Sequence, residues 1–405
     1  MELIKRNARL IYHKIRKYLW ALKYSKYNKN YNLNLKNEKK IVVVSQSAIH
    51  GGAPVLAYHI VEQLKLMGYT VAVVVLEYGN MTEEYCKDNV CYFCLNNRSI
   101  KRTALELKNK GFLMCISNSA LSGYASKIFS EAGYQVISLV HELPGVLAAM
   151  NGMKKAELSL NYSKTVIFPS SVVEKSFLNV ITNTKKTKLV IKPQGIYLIP
   201  KRLLSKEEAR IFIKKKYDIY LDKRVVLNVA SVSSRKGFDI FLDMAYKNEN
   251  INFIWVGVKK NSFYQETLVK HKGRLPRNFF EIGYVNDVET LFAFYSAADI
   301  FALTSREEPM GTVVLEAFSA GLPVIAFNNR GGFVDVIRNG ENGFLVDTVD
   351  ADEMLEKIEV FFSENREIHE NIRLNCFEKS QSMSFERYVH FIINQFEDYG
   401  GNLSE

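Results

Sequence analysis

The sequence has no long apolar run and little proline, and each shortage excludes a class of protein. No uninterrupted apolar stretch of the 405 residues reaches the roughly 20 that a membrane-spanning helix needs. The N-terminus lacks the apolar segment and cleavage site of a secretory signal peptide. With 8 Pro, 22 Gly and 47% apolar residues, the composition excludes collagen-like repeats and general disorder. We therefore expect a cytoplasmic globular protein of about two to three domains.

The five cysteines do not have the spacing of a disulfide framework. Cys91 and Cys94 form a C-x-x-C pair, but no second pair and no histidine pair completes a zinc set. We expect buried thiols in a reducing compartment, with a ligand or redox role for the pair as the alternative. The D-x-D sequence from Asp350 to Asp352 suits a helix N-cap better than a metal site. We expect neither a metal nor a cofactor.

The excess positive charge lies almost entirely at the N-terminus. Residues 1–40 contain 12 basic and 2 acidic residues, whereas the other 365 contain 42 basic and 41 acidic ones. Such a nearly neutral body argues against a nucleic-acid partner. Within residues 1–37, apolar side chains recur at helical spacing among lysines and arginines, which is typical of a helix lying on an anionic membrane surface. A solvated helix and nucleic-acid contact are the alternatives for this segment.

From Ile41 onward, short β-branched runs alternate with helical patterns, and the alternation restarts after a boundary marked by Pro193, Gly195 and Pro200. Strands that are apolar on both faces and alternate with helices indicate a parallel sheet covered on both sides. We predict an α/β protein of two Rossmann-like domains facing a cleft. The predicted segments are a basic leader at 1–37, domains at 38–197 and 198–380, and a closing helix at 381–405 that returns to the first domain.

Ligands of such sheets bind at the carboxyl ends of the strands, and two candidate sites follow strands of the first domain. Gly51 and Gly52 lie between the first strand and a helix, where backbone N–H groups can approach an anion. His141 ends the fifth strand, where its ring could bond a sugar hydroxyl. An ordinary tight turn and a structural histidine are the alternative interpretations.

The second domain carries a pair of basic residues after its first strand. Arg235 and Lys236 follow its first strand, just before a helix that opens at Gly237. Two cations beside a helix N-terminus suit a diphosphate, the arginine through its planar fork and the lysine as a point charge. A solvated pair of charges is the alternative.

The strongest signal is the segment REEPMGTVVLEAF. Glu308 precedes Gly311, and Glu316 follows about one turn into a helix that starts near Thr312. The N–H groups of Thr312 and Val313 could bind phosphate, while the two carboxylates accept hydroxyls at opposite ends of a long ligand. The pattern favours a sugar joined to a nucleotide through diphosphate, against the alternative of a surface acidic pair beside a core helix.

These motifs together resemble the family 4 retaining glycosyltransferases of GT-B fold. The resemblance covers roughly residues 41–347 and is densest in the second domain. It departs from the family where Ser231 stands in place of a common arginine and where the hinge reads PQGIY. The motifs that carry it are EPMGTVVLE, AFSAGLPVIA, GGFVDVI, NGENGFLV, RKG, GYVND and YSAADIFALTS.

The resemblance implies a role for each candidate residue of the second domain. Glu308 would hold hydroxyls of the donor sugar, and Glu316 would hold the ribose. Arg235 and Lys236 would neutralise the diphosphate, assisted by the backbone amides of residues 311–313, namely Gly311, Thr312 and Val313.

For the first domain, the resemblance implies that Gly51 and Gly52 border the phosphate or the acceptor. His141 would contact the donor sugar near the reacting carbon. His141 and Glu308 are the two predicted catalytic residues.

The function expected from the resemblance is metal-independent hexosyl transfer with retention, from a nucleotide-diphosphosugar to an acceptor hydroxyl. The basic leader at 1–37 suggests a saccharide or lipid-linked saccharide acceptor at the cytoplasmic face of the cell membrane, in surface polysaccharide assembly. A non-catalytic scaffold subunit and a nucleotide-sugar epimerase or hydrolase on the same fold are the alternative functions.

Overall fold

The computed structural model describes residues 37–87, 89–185, 187–271 and 273–397. These residues form two compact units. The first contains the described residues up to Pro169 together with Val173–Lys192 and the part of the last helix that starts at Val389. The second contains Ser170–Val172 and Pro193–Tyr388. The predicted amphipathic leader falls outside the described residues, except for Asn37.

The first unit is built on a seven-stranded parallel sheet with the strand order β3-β2-β1-β4-β5-β6-β7. Its register aligns Val42 of an interior strand with Ala72 on one side and Cys115 on the other. The strands are β1 (Lys40–Ser45), β2 (Thr70–Val75), β3 (Val90–Phe93), β4 (Met114–Asn118), β5 (Gln135–Leu139), β6 (Thr165–Phe168) and β7 (Lys188–Ile191).

Helices connect these parallel strands, as the alternation of patterns predicts. They are α1 (Gly52–Leu66), α2 (Thr82–Lys87), α3 (Asn97–Asn109), α4 (Gly123–Glu131), α5 (Pro144–Ala149), α6 (Met153–Asn161) and α7 (Ser171–Leu178), with a 3₁₀ turn at Ala120–Ser122 before α4. Ser171 and Val172, which open α7, belong to the second unit.

The second unit is built on a six-stranded parallel sheet with the order β10-β9-β8-β11-β12-β13. Its strands are β8 (Arg224–Val229), β9 (Ile251–Val256), β10 (Phe279–Ile282), β11 (Ile300–Leu303), β12 (Val324–Phe327) and β13 (Gly343–Val346). Its helices are α8 (Lys206–Tyr217), α9 (Phe238–Lys247), α10 (Ser262–Lys270), α11 (Val288–Ala297), α12 (Thr312–Ser319), α13 (Ala351–Ser363) and α14 (Arg366–Gln381), followed by α15 (Phe385–Glu397), which continues into the first unit.

Buried aromatic rings fill the core of the second unit. Phe238 and Phe241 of α9 pack edge-on against Trp255 of β9, with ring centroids 5.1 Å and 5.3 Å apart. Edge-to-face contacts of this kind add about 0.5 to 1.5 kcal/mol each to the area that the rings bury. They hold the start of α9, and therefore the loop before it, against the sheet.

Two local predictions are confirmed. All five cysteines are buried free thiols. Asp350 caps α13, its side chain accepting hydrogen bonds from the N–H groups of Asp352 and Glu353. In the described part of the chain, no helix has both the length and the apolarity to cross a membrane.

Two elements were missed by the sequence interpretation. Strand β7 lies just before the predicted domain boundary at Pro193, and α14 lies before the predicted closing helix. Both are short of buried side chains: β7 has none that is fully buried, and α14 has three in 16 residues. Their sequences therefore lack the apolar periodicity from which an element is predicted.

Candidate functional site

In the second unit, the candidate residues lie on two loops that leave neighbouring strands. One loop joins β8 to α9, and the other joins β11 to α12. Strands β8 and β11 pair in parallel, so their carboxyl ends lie at the same edge of the sheet. The topology therefore brings together two segments that are about 70 residues apart in sequence.

Gly237 allows these two loops to touch. Its φ is +68°, and a Cβ atom at this position would lie 1.9 Å from the carbonyl oxygen of Thr304. The Thr304 hydroxyl donates a hydrogen bond to the Lys236 carbonyl at 3.0 Å. The backbone N–H of Arg306 donates to the Arg235 carbonyl at 2.8 Å. Only glycine fits so close a backbone approach, which positions the preceding basic pair.

Arg235 and Lys236 lie beside Glu308, as the predicted common site requires. The Lys236 ammonium forms an ion pair with the Glu308 carboxylate. The Arg235 guanidinium lies 3.5 Å from the same carboxylate oxygen and donates to the Glu307 carbonyl at 2.8 Å. Glu308 is 9% exposed, so its charge needs these partners. Two cations and one carboxylate leave this cluster with a net positive charge.

Helix α12 starts next to this cluster. Its N-cap residue is Gly311, with φ +74°, and no side chain caps the helix. A Cβ atom on Gly311 would lie 3.3 Å from Cγ of Glu308, which shows how closely the helix start approaches that side chain. Thr312 and Val313 occupy the first two helical positions, whose N–H groups have no partner within the helix itself. Such a helix start attracts anions.

Glu316 lies in the second turn of α12 and is buried, with 6% exposure. Its carboxylate accepts a hydrogen bond of 2.8 Å from the Tyr295 hydroxyl. Burial raises the pKa of Glu316 to about 7, although the bond from Tyr295 acts in the opposite direction. Near neutral pH, this carboxyl group is therefore divided between its charged and uncharged forms.

The PQGIY segment, which departs from the family pattern, brings a tyrosine to the same place. The Tyr197 hydroxyl is hydrogen-bonded to Thr312 at the start of α12. Burial, and to a smaller extent the charge of Glu316, raises the pKa of Tyr197. A neutral phenol therefore stands beside the helix start and can donate or accept a hydrogen bond.

In the first unit, a hydrogen-bonded chain links His141 to the glycine loop, the segment that contains Gly51 and Gly52. Nε2 of His141 lies 3.0 Å from Oδ1 of Asn118, at the end of β4. Nδ2 of the same amide donates to the Ala53 carbonyl at 2.8 Å, one residue beyond Gly52. His141 itself lies two residues past the end of β5, rather than in the strand. The structure therefore places the first unit's candidate residues in one group.

Glu142 secures the backbone around His141. Its carboxylate accepts hydrogen bonds from the Ser119 hydroxyl, from the Ala120 N–H at 2.9 Å and from the His141 N–H at 3.2 Å. Ser119 has a φ of +82°, an unusual conformation for a residue with a side chain. Desolvation lowers the pKa of His141 to about 4. The imidazole is therefore neutral at pH 7 and suited to hydrogen bonding rather than to binding an anion.

Sequence reasoning missed four of these residues. Tyr295 belongs to the YSAADIFALTS run and Tyr197 to the hinge, and neither pattern indicates a role for its tyrosine. Asn118 ends the strand FLMCISN, and that position was a signal, because polar residues at strand ends face the ligand edge of such sheets. Glu142 gave no signal beyond its place next to His141.

A scan of family models matches residues 209–378 to "Glycosyl transferases group 1". The matched segment lies wholly within the second unit and contains the Arg235, Lys236, Glu308 and Glu316 cluster.

Two curated relatives are similar to part of the chain. A lipopolysaccharide core biosynthesis glycosyltransferase of Rhizobium meliloti is 28% identical over 155 residues, which are 38% of this chain and 43% of the relative. A processive diacylglycerol alpha-glucosyltransferase of Acholeplasma laidlawii is 30% identical over 156 residues, which are 36% of this chain and 47% of the relative. The alignments thus span about half the length of these relatives.

Among solved structures, the chain is similar to Anabaena HepE in complex with UDP and glucose. The TM-score is 0.73 at 17% identity, and the match covers 89% of this chain and all of the other. This likeness confirms the predicted GT-B class, with two Rossmann-like α/β domains. Within the second unit, residues 209–378 are thus similar to the glycosyl transferases group 1 family.

Proposed function

We propose that this protein is a retaining glycosyltransferase that moves a hexosyl group from a nucleotide-diphosphosugar to an acceptor hydroxyl. The observation that carries the proposal is the cluster of Arg235, Lys236 and Glu308 beside the uncapped start of α12, with Glu316 buried in the same helix. The family match to this unit supports it.

The charges of the cluster suit a diphosphate next to a sugar. Lys236 and Arg235 both turn toward Glu308. A bound diphosphate would give the two cations a stronger anionic partner and would leave the Glu308 carboxylate to accept sugar hydroxyls. The N–H groups of Thr312 and Val313 would add hydrogen bonds to the phosphate oxygens.

Glu316 is suited to the ribose of the nucleotide. Its carboxyl group is buried and already holds one hydrogen bond, from Tyr295. Two vicinal hydroxyls could donate to its remaining lone pairs, which would stabilise the charged form. We therefore expect donor binding to lower the pKa of Glu316 and to release protons near neutral pH.

In the proposed reaction, the bond between the anomeric carbon and the diphosphate oxygen breaks while a bond to the acceptor oxygen forms on the same face of the sugar. The acceptor proton passes to the departing diphosphate. Negative charge builds up on the diphosphate, so Lys236, Arg235 and the helix start stabilise the transition state more than the ground state. His141, which is neutral at pH 7, is suited to accept or donate a sugar hydrogen bond. No step of this scheme uses a metal.

The first test is thermal stabilisation by a panel of UDP-, GDP-, ADP- and dTDP-sugars, compared between the parent protein and Glu316→Ala. A selective shift that the variant loses would support the donor site, because a ligand of the folded state raises its stability. Glu356→Ala is the control, since this exposed residue lies outside the cluster. The anomeric configuration of the product, read by NMR, tests retention.

Two outcomes would overturn the proposal. Consumption of the donor at the same rate with and without acceptors would indicate an epimerase or hydrolase. The absence of a shift with every nucleotide sugar, in a folded protein, would indicate a scaffold subunit.

We also propose that the acceptor is a saccharide or lipid-linked saccharide at the cytoplasmic membrane face, to which the basic leader binds. Flotation with vesicles that contain anionic lipid tests this, because basic residues near such a surface contribute about 1 kcal/mol each. Deletion of residues 1–37 should abolish flotation. Equal flotation of the truncated protein would refute the membrane role.

A further inference from the structure

A polar cavity lies in the first unit at the amino ends of strands β5, β6 and β7, and we call it the amino-edge cavity. Its volume is about 730 Å³, within the usual range for sites that bind small molecules. Its lining includes Gln135, Thr165 and Lys188, the residues with which these three neighbouring strands begin. His141 and the glycine loop follow the carboxyl ends of strands, so the cavity lies at the opposite edge of the sheet.

The lining of the amino-edge cavity is positively charged. Lys164, Lys185 and Lys188 line it, and among the described residues no aspartate or glutamate does. Lys185 and Lys188 are exposed, and Lys164 is half-buried. The Lys164 ammonium donates to the Gln135 side chain at 3.0 Å and to the Phe396 carbonyl at 2.9 Å. Three cations without a carboxylate in the lining favour an anion, and lysine commonly binds phosphate.

An aromatic ring and a side-chain amide position one of these lysines. The Lys185 ammonium lies over the Tyr162 ring, 3.8 Å from its centroid, and Tyr162 also lines the cavity. Oδ1 of Asn161, at the end of α6, accepts hydrogen bonds from the backbone N–H groups of Thr184 at 3.0 Å and of Lys185 at 3.2 Å. Such contacts order the cation before a ligand arrives, which lowers the entropic cost of binding.

Two other lining residues have polar atoms without partners. Oγ1 of Thr165 and Oε1 of Gln395 are buried, and neither has a hydrogen-bond partner among the described residues. Thr165 is fully buried, and Gln395 is 6% exposed. Unpaired buried polar atoms destabilise a fold, so each one requires an explanation such as a bound ligand, ion or water. Because an amide oxygen only accepts and a hydroxyl does both, these atoms suit the hydroxyls of a ligand.

We infer that the amino-edge cavity binds a phosphorylated polyol, a molecule that carries both a phosphate and several hydroxyls. The three lysines would hold the phosphate, and Thr165 and Gln395 would bond the hydroxyls. The inference does not rest on the proposed transferase function, because the lining contains none of the donor or acceptor candidates. Two sources have this chemistry, a soluble sugar phosphate and the head group of an anionic phospholipid.

The test uses the full chain at low ionic strength, with the binding of glucose 6-phosphate, inorganic phosphate and glucose measured by calorimetry. We expect glucose 6-phosphate to bind more tightly than inorganic phosphate, and glucose not to bind measurably. The cavity double variant, Lys185→Gln with Lys188→Gln, should bind glucose 6-phosphate at least about tenfold more weakly, because it loses two charge-assisted bonds. Thr165→Val, which removes the hydroxyl with little change of shape, should weaken the binding of glucose 6-phosphate and leave that of inorganic phosphate unchanged.

The control double variant is Lys101→Gln with Lys175→Gln. These two lysines are also exposed residues of the first unit, they do not line the cavity, and their loss changes the net charge equally. This variant, and Lys236→Ala in the donor cluster, should bind glucose 6-phosphate as the parent does. An equal loss in both double variants would indicate attraction to net charge alone, and a loss in Lys236→Ala would indicate binding at the donor cluster. Either result would overturn the inference.

Flotation with vesicles of equal parts phosphatidylcholine and phosphatidylglycerol distinguishes the two sources. If the ligand is a lipid head group, the cavity double variant should partition about thirtyfold less than the parent, because it loses two lysines near the surface, and the control double variant should partition more than it does. If the ligand is a soluble sugar phosphate, the two double variants should float equally while only the cavity variant loses glucose 6-phosphate. A cavity double variant that matches its control in both assays would refute the site.

A thermal-shift panel of nucleotide sugars separates this inference from the proposed function. The cavity double variant should respond to the donor as the parent does. If neither protein responds to any nucleotide sugar while glucose 6-phosphate binding depends on the cavity lysines, the amino-edge site stands and the transferase assignment falls. If the donor shift is present and the cavity double variant matches its control in the calorimetric and flotation assays, the transferase stands and the amino-edge site is refuted.

Discussion

Replacing Glu316 by Gln should make the ligand-free protein more stable at alkaline pH while weakening donor binding. The pKa of Glu316 is raised from 4.5 to about 7, mainly by burial. Between these values, the folded state binds more protons than the unfolded state, so stability falls as pH rises from about 4.5 to about 7. At about 1.4 kcal/mol per pKa unit, the ionised carboxylate costs about 3 kcal/mol above that range. Glutamine has no charge to bury and can still accept the Tyr295 hydrogen bond.

Urea unfolding followed by Trp255 fluorescence measures this effect, because Trp255 is fully buried in the second unit. We expect Glu316→Gln and the parent to differ little near pH 5, and the variant to be more stable by up to about 3 kcal/mol near pH 8. Glu356→Gln, at an exposed position of α13, should unfold with the pH dependence of the parent.

The same variant should bind the donor about ten- to a hundredfold more weakly, since a hydrogen bond to a charged group contributes about 1.5 to 3 kcal/mol. Stability that rises while affinity falls is expected of a residue kept for function at a cost to folding. A variant that is less stable than the parent at every pH, or whose difference from the parent does not change with pH, would refute the reasoning.

Three further predictions concern the same unit. Tyr295→Phe removes the hydrogen bond that holds the Glu316 carboxylate, so the pKa of Glu316 should rise further. The pH at which donor binding is half-maximal, measured by calorimetry across pH, should move upward by about one to two units. An unchanged pH profile would contradict the proposed role of Tyr295. Lys236→Ala should lower kcat, measured by steady-state kinetics, by about a hundredfold or more, with a smaller change in donor affinity. Equal effects on kcat and on donor affinity would contradict preferential stabilisation of the transition state. Gly237→Ala should lower the free energy of unfolding in urea by more than about 2 kcal/mol, because the new Cβ would overlap the Thr304 carbonyl and φ is positive at this position. Near-parental stability would show that the loop before α9 and the loop before α12 can separate.

Much of the fold follows from local pattern. Runs such as IVVVSQ and RVVLNV are apolar at successive positions, so both faces of their strands must be covered, which selects a parallel sheet with helices on both sides. The fold class was therefore predictable. Strand β7 and helix α14 were not, because they bury few side chains and leave little periodicity in the sequence.

The candidate site also has one part that the sequence determines and another that the tertiary structure determines. The sequence alone determined that Glu308, Gly311 and Glu316 belong together, because they are close in the chain and a glycine before a helix sets their local arrangement. Tertiary structure alone decided that Lys236 pairs with Glu308 across 72 residues, and that Asn118 joins His141 to the glycine loop across 65 residues. Sheet order and register create such contacts, and no local pattern encodes them.

The tertiary structure also decided the chemical state of the buried groups. A glutamate in a sequence has an ordinary pKa until packing removes its water, as happens to Glu316 beneath Tyr295. Sequence determines which groups are available, whereas burial and proximity, which depend on the whole fold, determine what those groups can do.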